Sequence, residues 1–295
     1  MILSDVLTYR KQQVEEALID FFKHGINPYE AHIEEAMSYS LMLGGKRLRP
    51  ILLLEMGNAF GLEDETLMDF ACAIEMIHTY SLIHDDLPAM DDDDFRRNKP
   101  TNHKVYGEAI AILAGDGLLT HAFNLMIKKS LASNKIEYLK AMETIGRAAG
   151  YQGMIGGQVA DMMCEESPGT KDDLDYLHTR KTGQLLTVPL TVAGILSKQP
   201  PSMIDALHEL GINMGLIFQI TDDLLDIEGD EAMLGKPIGS DQKNHKMTYP
   251  ALHGIEKSKE KVDDLIKSCN QLIDRLPVAC DFLKAYLSYL KKRQY

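Results

Sequence analysis

Apolar residues recur along this chain at intervals of three and four, the period of helices laid against a core. Val6, Val14, Ala17, Leu18 and Phe21 share one helical face near the start. Asn27-Pro28 reads as a helix start, with Asn as the cap and Pro in the first turn. That helix is expected to run to Leu43 and stop at Gly44-Gly45. Another begins near Arg49-Pro50 and ends by Gly61, and a long one runs from near Asp64 into the stretch LIHDDLPAMDDDDFRR, Leu82 to Arg97. Further helices are expected at 107–130, 135–165, 171–197, 202–228, 257–275 and 278–293. Alternating β-branched runs are nearly absent, so no sheet is expected, and no Pro/Ser linker or low-complexity tract divides the chain. The pattern predicts one all-α domain over residues 1–295, a bundle of about ten helices.

Composition narrows the function. With 295 residues, 45% of them apolar, a sizeable core can be buried. Lys and Arg total 31 against 44 Asp and Glu, a formal charge of −13, which argues against a nucleic-acid partner and its need for a basic face. Cys72, Cys164, Cys269 and Cys280 match no zinc or CxxC spacing, so reduced thiols are expected. The N-terminal stretch has no basic leader followed by an apolar core, and Leu185 to Leu196, the longest nearly apolar run, is too short to span a bilayer. A cytoplasmic protein without membrane insertion is therefore expected.

The acidic stretch demands explanation. Six aspartates, Asp85, Asp86 and Asp91 to Asp94, crowd the end of an apolar helix. Two carboxylates ~4 Å apart repel by roughly 1 kcal/mol even in water. Asp85 and Asp91 are six apart, which an ideal helix does not align. Pro88 lies between them and has no N–H for the carbonyl of His84, so a kink or bulge there would return Asp91 toward Asp85. Asp92 to Asp94 read equally well as a solvated loop. A second motif, FQITDDLLD from Phe218 to Asp226, puts Asp222 and Asp226 on one helix face and turns Asp223 about 100° away. All-oxygen ligands favour Mg²⁺, Mn²⁺ or Ca²⁺ over zinc. The Glu-x-x-His pairs of a di-iron bundle are not suitably placed here. Ile83-His84-Asp85-Asp86 is faintly echoed by Ile220-Thr221-Asp222-Asp223, too briefly to count as a repeat.

Cations accompany the acids. GGKRLRP sets Lys46, Arg47 and Arg49 beside a glycine pair whose N–H groups can approach an anion. Arg96 and Arg97 are adjacent, so their side chains point apart and can serve separate anions. Lys181 in RKTGQ, and Lys236 and Lys246 in GKPIGSDQKNHKMTYP, complete the set. A lysine taken singly is an ordinary surface residue. Together these basic positions in glycine- or acid-rich turns point to polyphosphate recognition. His78 lies two turns before Asp85 on nearly the same face.

These residues together resemble the trans-prenyltransferases that build linear isoprenoid diphosphates. The signature elements are GGKRLRP, HDDLPAMDDDDFRR, GQVAD, KTG, FQITDDLLD and GKPIGSDQKNHKMTYP, running from residue 44 to 250. The longer Asp-Asp-x4-Asp form resembles the bacterial farnesyl diphosphate synthases in particular. The resemblance implies an all-α bundle around a deep central cavity, usually a homodimer. It implies that Asp85 and Asp91 hold Mg²⁺, with Mn²⁺ as the alternative, on one wall, and that Asp222 holds another ion on the facing wall, so more than one ion serves each site. The allylic diphosphate would bridge them with help from Arg96, Lys181 and Lys246, and Lys236 nearby. Lys46, Arg49, His78 and Arg97 would bind isopentenyl diphosphate. Thr182 and Gln219 would place oxygen dipoles near the nascent cation, with Asp161 as outer support.

The implied activity condenses dimethylallyl or geranyl diphosphate with isopentenyl diphosphate. Tyr80 and Ser81 lie five and four residues before Asp85. At 1.5 Å per residue, Tyr80 is roughly 7.5 Å back along the axis, where a bulky side chain would floor a short pocket. In the resembling family a bulky residue there goes with a fifteen-carbon product, so farnesyl diphosphate is expected. The alternatives are a twenty-carbon synthase with the same chemistry and a non-catalytic subunit of a heteromeric synthase.

Overall fold

The structure, a computed structural model, describes residues 2–22, 27–166, 170–229 and 247–292. Contacts group the chain into two compact units, Ile2–Met142 and Glu143–Tyr295.

The first unit is built on α4, Asp64–Asp85. Its sequence is apolar on every side, and Phe70, Ile74, Ile77, Tyr80 and Ile83 are all buried. Burying each such side chain contributes roughly 1.5–3 kcal/mol. Around it lie α1 (Leu3–Asp20), α2 (Pro28–Leu41), α3 (Leu48–Ala59), α5 (Asn102–Tyr106) and α6 (Glu108–Ser133), with α3 and α6 packed directly on α4. The start of α2 is the expected one: the Asn27 side chain accepts from the N–H groups of Tyr29 and Glu30, both at 3.0 Å, and Pro28 occupies the first turn. Arg10 ties α1 to α3 and α4 through Glu55 and Asp64, each at 2.6 Å.

Helix α6 departs from the expectation that no segment suits a bilayer. By length and composition alone it could cross one, and 33% of its apolar window is buried. It turns Ala111, Ala114, Leu118 and Ala122 inward and leaves Leu113, Ile127 and Leu131 exposed.

Two expected helices are broken. The segment 135–165 divides into α7 (Ile136–Ala149) and α8 (Met154–Glu166) across the Gly150–Gly153 turn. The segment 171–197 becomes α9 (Lys171–Leu177), a π-helical turn over His178–Gly183, and α10 (Gln184–Leu196). The rest of the second unit is α11 (Pro201–Glu228), α12 (Tyr249–His253), α13 (Ile255–Asp274) and α14 (Asp281–Lys292). Its core is α10, nearly all buried, against α11, which α13 also covers. The described residues contain one hairpin, β1 (Phe95–Arg96) with β2 (Lys99–Pro100), too small to alter the all-α class. Cys72, Cys164, Cys269 and Cys280 are free thiols.

Candidate active site

In the first unit the chain turns back on itself after α4. Leu87 N–H bonds to the His84 carbonyl at 3.2 Å, and Pro88 follows with no N–H to extend the ladder. Asp91 N–H then closes onto the Asp85 carbonyl at 2.9 Å. The expected irregularity is present, and it joins the backbones of Asp85 and Asp91. Asp85 is partly exposed and Asp91 exposed.

Asp86 behaves differently from Asp85. Its side chain is buried and accepts from Arg96 through Nε at 2.8 and 3.0 Å and through Nη2 at 2.6 Å. Burial pushes the Asp86 carboxyl up from its ordinary value, against the pull of Arg96. The hairpin explains why Arg96 and Arg97 separate. Its two-residue loop, Arg97-Asn98, has φ of 53° and 60°, the mirror-image turn that suits the twist of paired strands. Arg96 stays with Asp86, whereas Arg97 donates to the Gly44 carbonyl.

That contact assembles a cation site. Gly45 has φ +123°, and a Cβ there would lie 2.7 Å from the Arg97 guanidinium carbon, so only glycine admits this approach. His78 is partly buried. Burial, then the positive charges of Arg49, Arg97, Arg96 and Arg47, hold its imidazole well below the ordinary value, so it is neutral near pH ~7. Arg49 is half-buried and Lys46 exposed. Arg47, grouped in the sequence with Lys46 and Arg49 as a cation for polyphosphate, is instead wholly buried on Glu15 and Glu75.

Tyr80 is 5% exposed, and its hydroxyl finds no hydrogen-bond partner among the described residues. Burial and then Asp85 push that hydroxyl up to about 12. The ring meets His84 edge-on at 5.7 Å. Ser81 Oγ donates to the His78 carbonyl at 2.9 Å, a local bond within α4. His84 belongs to packing: its Nε2 lies 3.1 Å from the Ile112 carbonyl of α6.

In the second unit Lys181 and Thr182 sit in the π-helical turn. Such a turn re-aims side chains that a regular helix would send elsewhere. Gly157 of α8 lies directly against it, and a Cβ there would fall 2.2 Å from Lys181 N. Lys181 Nζ is ion-paired with Asp161 of α8. Thr182 Oγ1 donates to Gln219 Oε1 at 2.9 Å, and Gln219 Nε2 donates to Asp223 Oδ1 at 2.9 Å. The carboxylate of Asp223 thus fixes which way the Gln219 amide faces. Asp223 also accepts from Tyr249 N at 2.8 Å, and His178 Nε2 lies 3.8 Å from it. Asp222 is partly exposed; Asp223 and Asp226 are 3% exposed. Lys236 and Lys246 lie outside the described residues.

Among the described residues, Asp92, Asp94 and His103 place one potential metal-ligand atom each within 4.8 Å of one another. This mixed oxygen–nitrogen set differs from the all-oxygen set of Asp85, Asp91 and Asp222, and Asp94 is paired with Lys104 at 2.5 Å.

Known proteins place this geometry in a family. Residues 30–280 match the polyprenyl synthetase family. The chain is 49% identical to the farnesyl diphosphate synthase of Geobacillus stearothermophilus over 87% of its length and 86% of the relative's. It is 45% identical to the Bacillus subtilis (strain 168) farnesyl diphosphate synthase over 95% of both. The crystal structure of an FPP/GFPP synthase from Zymomonas mobilis superposes with a TM-score of 0.87 at 31% identity, covering 97% of this chain and 98% of that one. The chain belongs to the polyprenyl synthetase family.

Proposed function

We infer that the chain is a Mg²⁺-dependent chain-elongating prenyltransferase. It condenses dimethylallyl or geranyl diphosphate with isopentenyl diphosphate to give (2E,6E)-farnesyl diphosphate and diphosphate. The observation that carries this reading is the cation site in the first unit. The Gly44-Gly45 turn and Arg97 meet there, with Arg49 and a neutral His78 close by. A second diphosphate substrate needs such a site beside the acidic motifs. A terpene cyclase, which ionises one substrate and adds none, does not.

Mg²⁺ fits the donors present. Asp85, Asp91 and Asp222 offer carboxylate oxygens from partly or fully exposed positions, while neighbouring Asp86 and Asp223 are turned inward onto protein partners. Mg²⁺ takes one or two carboxylates and shares its remaining positions with water and substrate phosphates. When bound, such ions supply positive charge to the leaving diphosphate.

Each side chain then has a task. Lys181, held by Asp161, and Arg96, held by Asp86, present fixed positive charge to the allylic diphosphate, and fixed charge costs no reorganisation as negative charge develops. The Thr182 proton is committed to Gln219, which leaves its oxygen lone pairs for the allylic cation. Lys46, Arg49, His78 and Arg97 hold isopentenyl diphosphate, whose double bond attacks that cation. Loss of a proton to the departed diphosphate closes the alkene, so no side-chain base is required. Lys236 and Lys246 are assigned to the allylic diphosphate on the resemblance alone. Tyr80, buried behind Asp85, floors the pocket at fifteen carbons and weighs against a twenty-carbon product.

We further propose a homodimer in a reducing cytoplasm. A second copy would cover Leu113, Ile127 and Leu131 of α6, and all four cysteines are free thiols. The test of the activity is incubation of the purified chain alone with geranyl and isopentenyl diphosphates, with and without Mg²⁺. Farnesyl diphosphate formed only with the metal is the expected result. No product without a second protein would instead favour the non-catalytic subunit.

A further inference from the structure

Glu75 is an acid in the middle of an apolar helix, 2% exposed, and it sits one turn before His78. An unpaired buried carboxylate is costly. Its partner is Arg47, whose side chain is fully buried. Arg47 Nη1 donates to Glu75 at 2.8 Å, Nε to Glu15 at 3.2 Å, and Nη2 to the Leu41 carbonyl at 2.5 Å. One guanidinium therefore joins α1, the end of α2, the start of α3 and α4. The Arg47 backbone is itself strained, with φ 50° and ψ 33° in the left-handed region that side chains other than glycine, Asn and Asp avoid. Strain of this kind persists only where surroundings enforce it. Here the three bonds enforce it, and their consequence is local. With Arg47 turned inward, its guanidinium is committed to protein partners rather than to an anion, and Gly44-Gly45 is presented to Arg97.

We propose that Glu15, Arg47 and Glu75 form a positioning triad for the isopentenyl diphosphate site. It holds the GGKR turn in register with His78 and Arg97 while none of the three touches substrate. The inference rests on the synthase reading above. It explains why arginine stands at position 47. A lysine would carry the same charge but has no planar fork to bond two carboxylates and a carbonyl at once. Loss of the fork lets residue 47 relax toward right-handed backbone, which moves Lys46 and Arg49 relative to His78.

The test uses the full chain with Arg47→Lys and, as a milder variant that keeps the Glu75 bond, Glu15→Gln. Steady-state rates are measured by varying each substrate while the other is saturating, and thermal melting is followed alongside. Arg47→Lys should raise KM for isopentenyl diphosphate about tenfold while KM for geranyl diphosphate changes less than about twofold; Glu15→Gln should raise the former about threefold. A general loss of stability would not divide the two substrates in this way. Should Arg47→Lys fail to fold, Glu15→Gln decides alone. If wild type turns over and neither variant separates the two KM values, the triad is purely structural and the inference fails by itself. A wild-type chain that forms no product removes the synthase reading, and this inference with it.

Discussion

Gly45→Ala gives a sharp test of the cation site, because its two costs can be separated. The new Cβ would lie 2.7 Å from Cζ, Nη1 and Nη2 of Arg97, while ordinary contact begins at 3.4 Å. The guanidinium must withdraw by at least about 0.7 Å, the difference of those values, which shifts it from its present seat against the Gly44-Gly45 turn. An exposed, flexible arginine does this at little expense in stability. The backbone adds strain of about 1–3 kcal/mol, because φ +123° suits glycine alone. Gly44→Ala is the control. It has φ +94° but nothing within 4 Å of the added carbon, so it carries backbone strain without the collision. Both variants should melt earlier by similar amounts. In Gly45→Ala one charge-assisted bond to diphosphate is also misplaced, about 1.5–3 kcal/mol, or roughly ten- to a hundredfold in kcat/KM for isopentenyl diphosphate. The assay varies isopentenyl diphosphate at saturating geranyl diphosphate. Equal kcat/KM in the two variants would refute the argument, since strain alone would then account for both.

Three further outcomes follow from the same geometry. Tyr80→Ala opens the pocket floor and should move product from fifteen to twenty carbons or longer by chromatography; an unchanged distribution removes Tyr80 as the floor. Asp223→Asn loses the anion that orients Gln219 and should lower kcat about tenfold, beyond any change in melting; kcat within about twofold of wild type would deny Gln219 a catalytic place. Burial, against the attraction of Asp161, lowers the His178 imidazole to about 4 from 6.5. The unfolded chain therefore takes up a proton that the folded chain refuses between those values. Stability is lost as pH falls through that window, about 2 kcal/mol from this residue between about pH 7 and about pH 5. Urea unfolding of His178→Gln should show a correspondingly flatter dependence, and an identical slope would refute the assignment.

Helix periodicity carried most of the fold, because α1 to α4, α11 and α13 each bury one clear face or all faces. The breaks were hidden. Gly150 and Gly153 permit a turn without requiring one, and the π-helical turn at His178–Gly183 differs from α-helix by a slip in hydrogen bonding that no side chain announces. In the first acidic motif Pro88 was an explicit signal, and the Asp91–Asp85 closure is its consequence. Arg47 was missed because three cations stand within four residues and only backbone geometry sorts them. A signal did exist: Glu75 interrupts the apolar run FACAIEMIHTY, and a carboxylate at such a position calls for a buried cation. Asp223 was passed over because the helical wheel turned it away from Asp222. The wheel says where a residue points but not what it meets.

That same wheel gives the echo of Ile83-His84-Asp85-Asp86 in Ile220-Thr221-Asp222-Asp223 a physical meaning. Adjacent residues on a helix diverge by about 100°, so at the rim of a packed helix one aspartate of a pair faces outward and the other inward. The inward member must be satisfied by protein: Asp86 takes the fork of Arg96, and Asp223 takes the Gln219 amide and the Tyr249 N–H. The outward members, Asp85 and Asp222, keep more contact with solvent. Each pair therefore joins an anchor to a potential ligand, and the anchor fixes a neighbour to which the proposed function gives a task, Arg96 in one unit and Gln219 in the other. Two helices with unlike surroundings reach this division of labour with the same dipeptide, because the geometry of consecutive residues enforces it.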